Sequence, residues 1–103
     1  MHINVSAATR SVRLTDPYVF SAFDVVADPP NTSSEVVADI MGDDATVADA
    51  DHVWVAVNAV PRLTGHVVAK EWESSYETML AFADSMDWLS DDRTMIKAHI
   101  VRS

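Results

Sequence analysis

The clearest pattern in the chain is a helical repeat of apolar residues that begins just after Glu71. The positions four, seven, eight, eleven and fourteen residues beyond the first are also apolar, and the set is Trp72, Tyr76, Met79, Leu80, Ala83 and Met86. At about 100° per residue, these positions fall on one side of a helix. We therefore predict a long amphipathic helix whose apolar stripe packs against a sheet.

Two other stretches have patterns that are typical of strands, one at the C-terminal end and one in the middle of the chain. Between Thr94 and Val101, isoleucine and alanine alternate with Lys97 and His99, which predicts a strand. The run His52–Val57 is short and almost entirely apolar. Such a run is typical of a central strand that is buried on both faces.

Two further strands are predicted in the N-terminal quarter. Arg10–Leu14 alternates apolar and polar residues, and Tyr18–Val26 is rich in aromatic and β-branched residues. The turn residues Thr15, Asp16 and Pro17 separate the two runs. A pair of prolines after Asp28 ends the second run, since consecutive prolines are not tolerated in a central ladder.

Two short helices complete the predicted elements. Ser33–Met41 follows several N-cap candidates and precedes Gly42, and Asn58–Thr64 precedes a stop at Gly65. The segment Asp43–Asp51 is rich in aspartate and is interpreted as an acidic loop. The predicted fold is α+β: a small, mainly antiparallel or mixed sheet of about four strands, covered by one long and two short helices.

Length and composition favour one globular domain over residues 1–103. A chain of 103 residues with a hydrophobic share of 49% can bury a core without covalent links. There is no cysteine, which excludes disulfides, thiolate nucleophiles and cysteine-ligated metals. There are only two glycines, so neither a P-loop nor a three-glycine dinucleotide fingerprint can be assembled.

The charge balance bears on partners and location. A formal net charge of −9 disfavours nucleic acid and anionic membranes, and leaves basic or small-molecule partners as the better fit. No run approaches the ~20 apolar residues that a membrane-spanning helix needs, and the N-terminus does not have the pattern of a signal peptide. We therefore expect a cytoplasmic protein.

Histidine and aspartate supply the candidate catalytic residues. His52 opens one predicted strand and His99 lies in another, so the two meet if these strands are neighbours. With Asp51, or alternatively Asp49, they would form an acid–base or metal-binding cluster. The competing interpretation is that each is an ordinary strand histidine with one hydrogen bond. We predict no resident metal and no cofactor, because Asp43–Asp51 does not have the glycine and closing glutamate of an EF-hand loop.

Aromatic residues supply candidates for a ligand or partner surface. Trp54, Phe82 and Trp88 are assigned to that role. Trp72 and Tyr76 are explained as core by the helical stripe, and Trp54 has the alternative of a core position in a buried strand. Phe82 lies near the edge of the stripe, and its exposure would indicate a protein interface.

The C-terminal third resembles small uncharacterised proteins of high-GC, actinobacteria-like bacteria. The residues that carry the resemblance are Trp72, Tyr76, Met79-Leu80, Phe82-Ala83, Trp88, an acidic turn and Ile96-Lys97-Ala98-His99-Ile100. The resemblance implies a free-standing bacterial cytoplasmic domain and transfers no catalytic residue.

Two functional hypotheses remain open at this point. The first is a non-catalytic module that binds a protein or a small ligand, with a homodimer as the expected assembly. The second is a small cofactor-independent enzyme, an isomerase or hydrolase, that uses the histidine and aspartate groups for acid–base chemistry.

Overall fold

The computed structural model describes residues 1–64 and 70–102, and these contain six strands and three α-helices. The strands are β1 (His2–Ser6), β2 (Ser11–Thr15), β3 (Asp24–Asp28), β4 (Ala45–Asp49), β5 (His52–Ala56) and β6 (Met95–Arg102). The helices are α1 (Ser34–Met41), α2 (Ala59–Leu63) and α3 (Lys70–Ser85), and a 3₁₀ turn, Gly42–Asp44, links α1 to β4.

The strands form one mixed sheet in the order β2-β1-β3-β6-β5-β4. β1, β3 and β6 run parallel to one another in the centre, and the remaining neighbours pair antiparallel. β1–β2 and β4–β5 are hairpins at opposite edges of the sheet. The sheet is therefore a parallel centre flanked by two hairpins.

All the helices cover the same face of the sheet. Alternate residues of the four inner strands are buried, for example Ile3, Val25, Val53 and Ile100, and they join the buried stripe of α3 in one apolar cluster. The intervening residues of the same strands lie on the opposite face and are half-buried or exposed. The other face of the sheet is therefore open. None of the described helices is long and apolar enough to cross a membrane.

The prediction of about four strands is wrong, because β1 and β4 bring the number to six. β1 pairs with strands on both sides, although no glycine or proline marks the turn that joins it to β2. β4 occupies most of the segment that was interpreted as an acidic loop. It is an edge strand with one neighbour, so its polar side chains reach water while its backbone pairs with β5.

The strand predicted over Tyr18–Val26 is shifted, since β3 is Asp24–Asp28. The preceding residues turn instead because the amino group of Met1 donates hydrogen bonds to the carbonyls of Val19 (2.9 Å) and Ala22 (3.0 Å). β5 is also buried on one face only, in contrast to the predicted burial on both faces. Val53 and Val55 join the apolar cluster with residues of the described helices, whereas Trp54 lies on the opposite face.

The helices lie close to their predicted bounds. Ser33 is the N-cap of α1 and its hydroxyl accepts a hydrogen bond from the Val36 N–H, while Gly42 ends the helix at φ 65°. A positive φ favours glycine at this position. The predicted stop at Gly65 lies outside the described residues.

The segment that pairs with one edge of β6 changes along the length of the strand, and this change positions the site. At its start, the Lys97 N–H donates to the Trp88 carbonyl (2.7 Å) and Leu89 forms a bridge with Ile96. Further along, the same side of β6 pairs with β3, beginning where His99 lies opposite Asp24. A break in the strand pairing therefore separates Trp88 from the residue that precedes β3, Phe23.

Candidate functional site

A row of polar residues crosses the open face of the sheet from one edge to the other. The register places its members side by side on successive strands, and they are Thr15, His2, Asp24, His99, His52 and Asp49. Directly opposed side chains in neighbouring strands lie close enough to interact. The three histidines of this row are thus brought together by strand pairing, although they are far apart along the chain.

His52 and His99 lie in contact in the middle of this row. Their ring centroids are 5.1 Å apart in an edge-to-face arrangement. The Nδ1 atom of His52 is 2.8 Å from an oxygen of Asp49, which also accepts a hydrogen bond from the backbone N–H of Asp51. The hydrogen bond from His52 is the main reason why the pKa of Asp49 lies below its usual value.

Asp51, the third predicted catalytic residue, has a different partner. Its side chain is 3.0 Å from the guanidinium group of Arg102, at the far end of β6. It contributes a backbone carbonyl, which accepts from Ile100, and no side-chain contact to the histidine pair. The carboxylate beside His52 is that of Asp49, which the sequence analysis named as the alternative.

His2 forms a second histidine–carboxylate contact in the row. Its Nδ1 atom is 2.6 Å from Asp24, and its Nε2 atom is 3.7 Å from Asp16. No three His, Asp or Glu side chains within residues 1–64 and 70–102 are placed to share a metal ion. The row therefore consists of separate hydrogen-bonded pairs on one surface.

A cavity of about 420 Å³ opens beside the histidine pair. It is lined by the two rings together with Lys97, Trp88 and Asp87, and also by Phe23 and Met86. Its chemistry is mixed, because imidazole, ammonium and carboxylate groups share the wall with aromatic carbon.

A larger cavity of about 620 Å³ lies next to it, between α3, the segment that precedes β3 and the start of β6. Its wall is mainly apolar and contains Phe20, Phe23, Met79, Phe82, Ala83, Trp88 and Ile96. Phe23, Trp88 and Lys97 line both cavities. The two cavities are thus an apolar and a polar compartment that share one wall, at the break in strand pairing beside β6.

Two of the three aromatic residues that were predicted to contact a ligand or partner line the larger cavity, and the third does not. Phe82 and Trp88 are in edge-to-face contact at 5.9 Å, line the larger cavity, and expose 59% and 43% of their surface. Trp54 is half-buried on the open face of the sheet, opposite Lys97 on β6, and lines neither cavity. The structure brings Phe82 and Trp88 together and leaves Trp54 apart.

Sequence analysis missed the residues that complete the two cavities. Phe20 and Phe23 were assigned to a strand, although they belong to the turn that forms one wall. Lys97 was noted only as part of an alternating strand. The available signal was that Lys97 and His99 share a face of β6, which the period of two already shows.

Fold and site together define a small α+β domain with one open sheet face and an apolar cavity of ligand size. Comparisons of this chain with protein-family models, with curated proteins and with solved structures find no match.

Proposed function

We propose that this protein binds a small, largely apolar molecule in the cavity between α3, the segment before β3, and β6. The observation that carries the proposal is the cavity itself, whose volume of about 620 Å³ falls in the range of ligand pockets, roughly 300–1,000 Å³. Ligand pockets are mostly apolar with a few polar groups that orient the ligand. The shared wall at Lys97 and the histidine pair supply such groups.

The exposure of the cavity rim supports the same function. Phe82, Met86 and Trp88 are neighbours along the chain, and each exposes between 43% and 59% of its surface. The apolar stripe of α3 explains Trp72, Tyr76 and Met79 as core. The prediction that Met86 also packs on this stripe is wrong, because α3 ends at Ser85 and Met86 is exposed. A ligand in the cavity would remove part of this aromatic surface from water, which is favourable in proportion to the area covered.

The test uses an uncharged aromatic probe, 1-naphthylacetamide, titrated into ¹⁵N-labelled protein. We expect the largest amide shifts at Phe23, Met79 and Trp88, because these residues line the cavity. The substitution Thr78→Phe should block the cavity from its α3 wall and weaken binding at least about fivefold, since an added aromatic ring fills volume that the probe needs.

Ser74→Phe is the matched control, because Ser74 is an exposed residue of the same helix that does not line the cavity. It should leave probe binding unchanged. Amide shifts that map away from the cavity would contradict the proposal. Equal effects of Thr78→Phe and Ser74→Phe on probe affinity would also contradict it.

A second candidate function, an acid–base enzyme, is favoured by the histidine pair. Asp49 holds Nδ1 of His52, so the ring has a defined orientation, and His99 lies against it in the same cavity. A carboxylate that orients a histidine is a common arrangement for general base catalysis. We expect His52→Asn to lower the rate of p-nitrophenyl acetate hydrolysis at least about tenfold and His2→Asn to leave it unchanged. Equal rates in all three proteins would eliminate this candidate.

A further inference from the structure

Lys97 differs from most of the cationic side chains in this acidic protein. Arg10, Arg62, Arg93 and Arg102 each lie within 3.0 Å of an aspartate oxygen. In the part of the chain that the structure describes, the side chains of Arg13, Lys70 and Lys97 have no such ion pair. Arg13 and Lys70 are exposed and reach water freely, whereas Lys97 is half-buried.

Lys97 is thus a partly buried cationic residue without an ion pair among the described residues, in a chain that carries sixteen acidic residues. Asp87 lines the smaller cavity with Lys97. The positive charge of Lys97 is also a minor cause of the lowered pKa of Asp49, with which it forms no ion pair. None of the aromatic rings in the described residues is in cation–π contact with Lys97.

The position of Lys97 gives this unpaired charge a role. It lies on the wall that the apolar and the polar cavity share, and among the described residues that line the apolar cavity it alone is charged. The polar rings of His52 and His99 line the polar cavity beside it. A molecule with its apolar body in the larger cavity would therefore direct its polar end at Lys97.

We infer that the ligand is an amphipathic organic acid, whose carboxylate pairs with Lys97 while its apolar body lies among Phe23, Phe82 and Trp88. This inference rests on the proposed function, because it assigns the chemical class of the ligand to the same cavity. The overall charge of −9 opposes the approach of any anion. A preference for an acid over a neutral ligand thus requires a local cation, and Lys97 is the one that the cavity offers.

The experiment compares 1-naphthylacetate with its uncharged counterpart 1-naphthylacetamide, by calorimetry and by the amide shifts of ¹⁵N-labelled protein. We expect the acid to bind at least about tenfold more tightly than the amide, since hydrogen bonds to charged groups are worth about twice those between neutral groups. Lys97→Gln should remove this preference, because it should weaken binding of the acid at least about tenfold more than binding of the amide. Lys97→Arg should restore most of the preference, because it keeps the cation.

Two control variants separate a local effect from a change in net charge. Lys70→Gln removes one positive charge at an exposed position that lines neither cavity, so it should leave the preference for the acid intact. Asp87→Asn removes a carboxylate from the wall of the smaller cavity and should strengthen binding of the acid by about twofold to fivefold.

The outcomes distinguish this inference from the proposed function. Equal affinity for acid and amide, with shifts that map to the cavity, would overturn the inference and leave the proposed function standing. A preference for the acid that Lys70→Gln lowers as much as Lys97→Gln would also overturn it. Failure of both probes to shift the cavity residues would overturn both, whereas loss of the preference in Lys97→Gln alone supports both.

Discussion

At the scale of single residues, the contact between Asp49 and His52 is the part of the site with the clearest electrostatic consequence. The Asp49 carboxylate accepts from the His52 ring and from the Asp51 backbone, and both hydrogen bonds favour its charged form. Its pKa is lowered for this reason. This contact fixes the orientation of the imidazole that faces His99 and the smaller cavity.

We expect His52→Ala to raise the pKa of Asp49 toward the usual aspartate value, because the largest cause of its depression is removed. A carboxylate with a lowered pKa in the folded state stabilises the fold at pH values above its unfolded pKa. That stabilisation is lost as the pH falls through the folded pKa. In wild-type protein, the loss should therefore occur at lower pH than the ordinary titration of an aspartate. Carboxyl ¹³C chemical shifts of Asp49 during an acid titration measure this directly.

His99→Ala is the matched control for that titration. His99 touches the ring of His52 but makes no hydrogen bond to Asp49. The pKa of Asp49 should therefore stay at its wild-type value in His99→Ala. An Asp49 that titrates identically in wild-type protein and in His52→Ala would contradict the assigned cause.

At the scale of elements, α3 forms one wall of the apolar cavity and is hydrogen-bonded to two other parts of the fold. The indole N–H of Trp72 donates to the carbonyl of Pro17 (2.6 Å), and its ring packs against Phe20 at 5.9 Å. The hydroxyl of Tyr76 donates to the Val57 carbonyl (2.8 Å), one turn further along the same helix. α3 is thus anchored both to the turn before β3 and to the end of β5.

The start of α1 offers a sharp stability prediction, because two adjacent serines have opposite roles there. The Ser33 hydroxyl accepts a hydrogen bond from the Val36 N–H at 3.2 Å, so Ser33→Ala should lower the free energy of unfolding by about 1 kcal/mol. The Ser34 hydroxyl is buried and has no hydrogen-bond partner among the described residues. Ser34→Ala should therefore leave the free energy of unfolding unchanged or raise it by up to about 1 kcal/mol.

Urea unfolding followed by circular dichroism measures both free energies under the same conditions. The two variants remove the same atom from neighbouring residues, so each serves as the control for the other. A larger loss of stability in Ser34→Ala than in Ser33→Ala would show that this assignment of the cap is wrong.

At the scale of the whole molecule, the homodimer and the cytoplasmic location expected from the sequence stay predictions. The charge of −9 on each copy opposes association, and salt screens that repulsion over about 10 Å at 0.1 M ionic strength. We therefore expect a dimer whose dissociation constant falls as sodium chloride is raised. Sedimentation velocity at low and high salt measures it. A monomer at both salt concentrations, or a dimer that salt weakens, would contradict this prediction.

Much of the secondary structure could be predicted from the sequence, because its signals are local. The stripe from Trp72 to Ala83 is buried as its helical period requires, and the alternation from Ile96 to Ile100 lies in β6. Gly42 ends α1 because a positive φ suits glycine. These features depend on residues that are neighbours along the chain.

Other features were decided by contacts between residues far apart in sequence. The Met1 amino group donates hydrogen bonds to two carbonyls in the turn that contains Phe20 and Phe23. No local sequence pattern predicts hydrogen bonds between groups about twenty residues apart. β4 lies within the aspartate-rich segment Asp43–Asp51 and forms a strand because its backbone pairs with the edge of β5.

The site shows the same division between local pattern and tertiary structure. Histidine and aspartate were identified as candidates by residue type, and the alternation placed Lys97 and His99 on one face of a strand. Strand order then decided that His52 lies against His99 and that Asp49, not Asp51, is its partner. The sequence by itself determined which residue types are candidates for the chemistry, and where the helices and the inner strands β5 and β6 run. Only the tertiary structure decided which of those side chains share a cavity, because sheet pairing and the packing of α3 join segments that no local pattern connects.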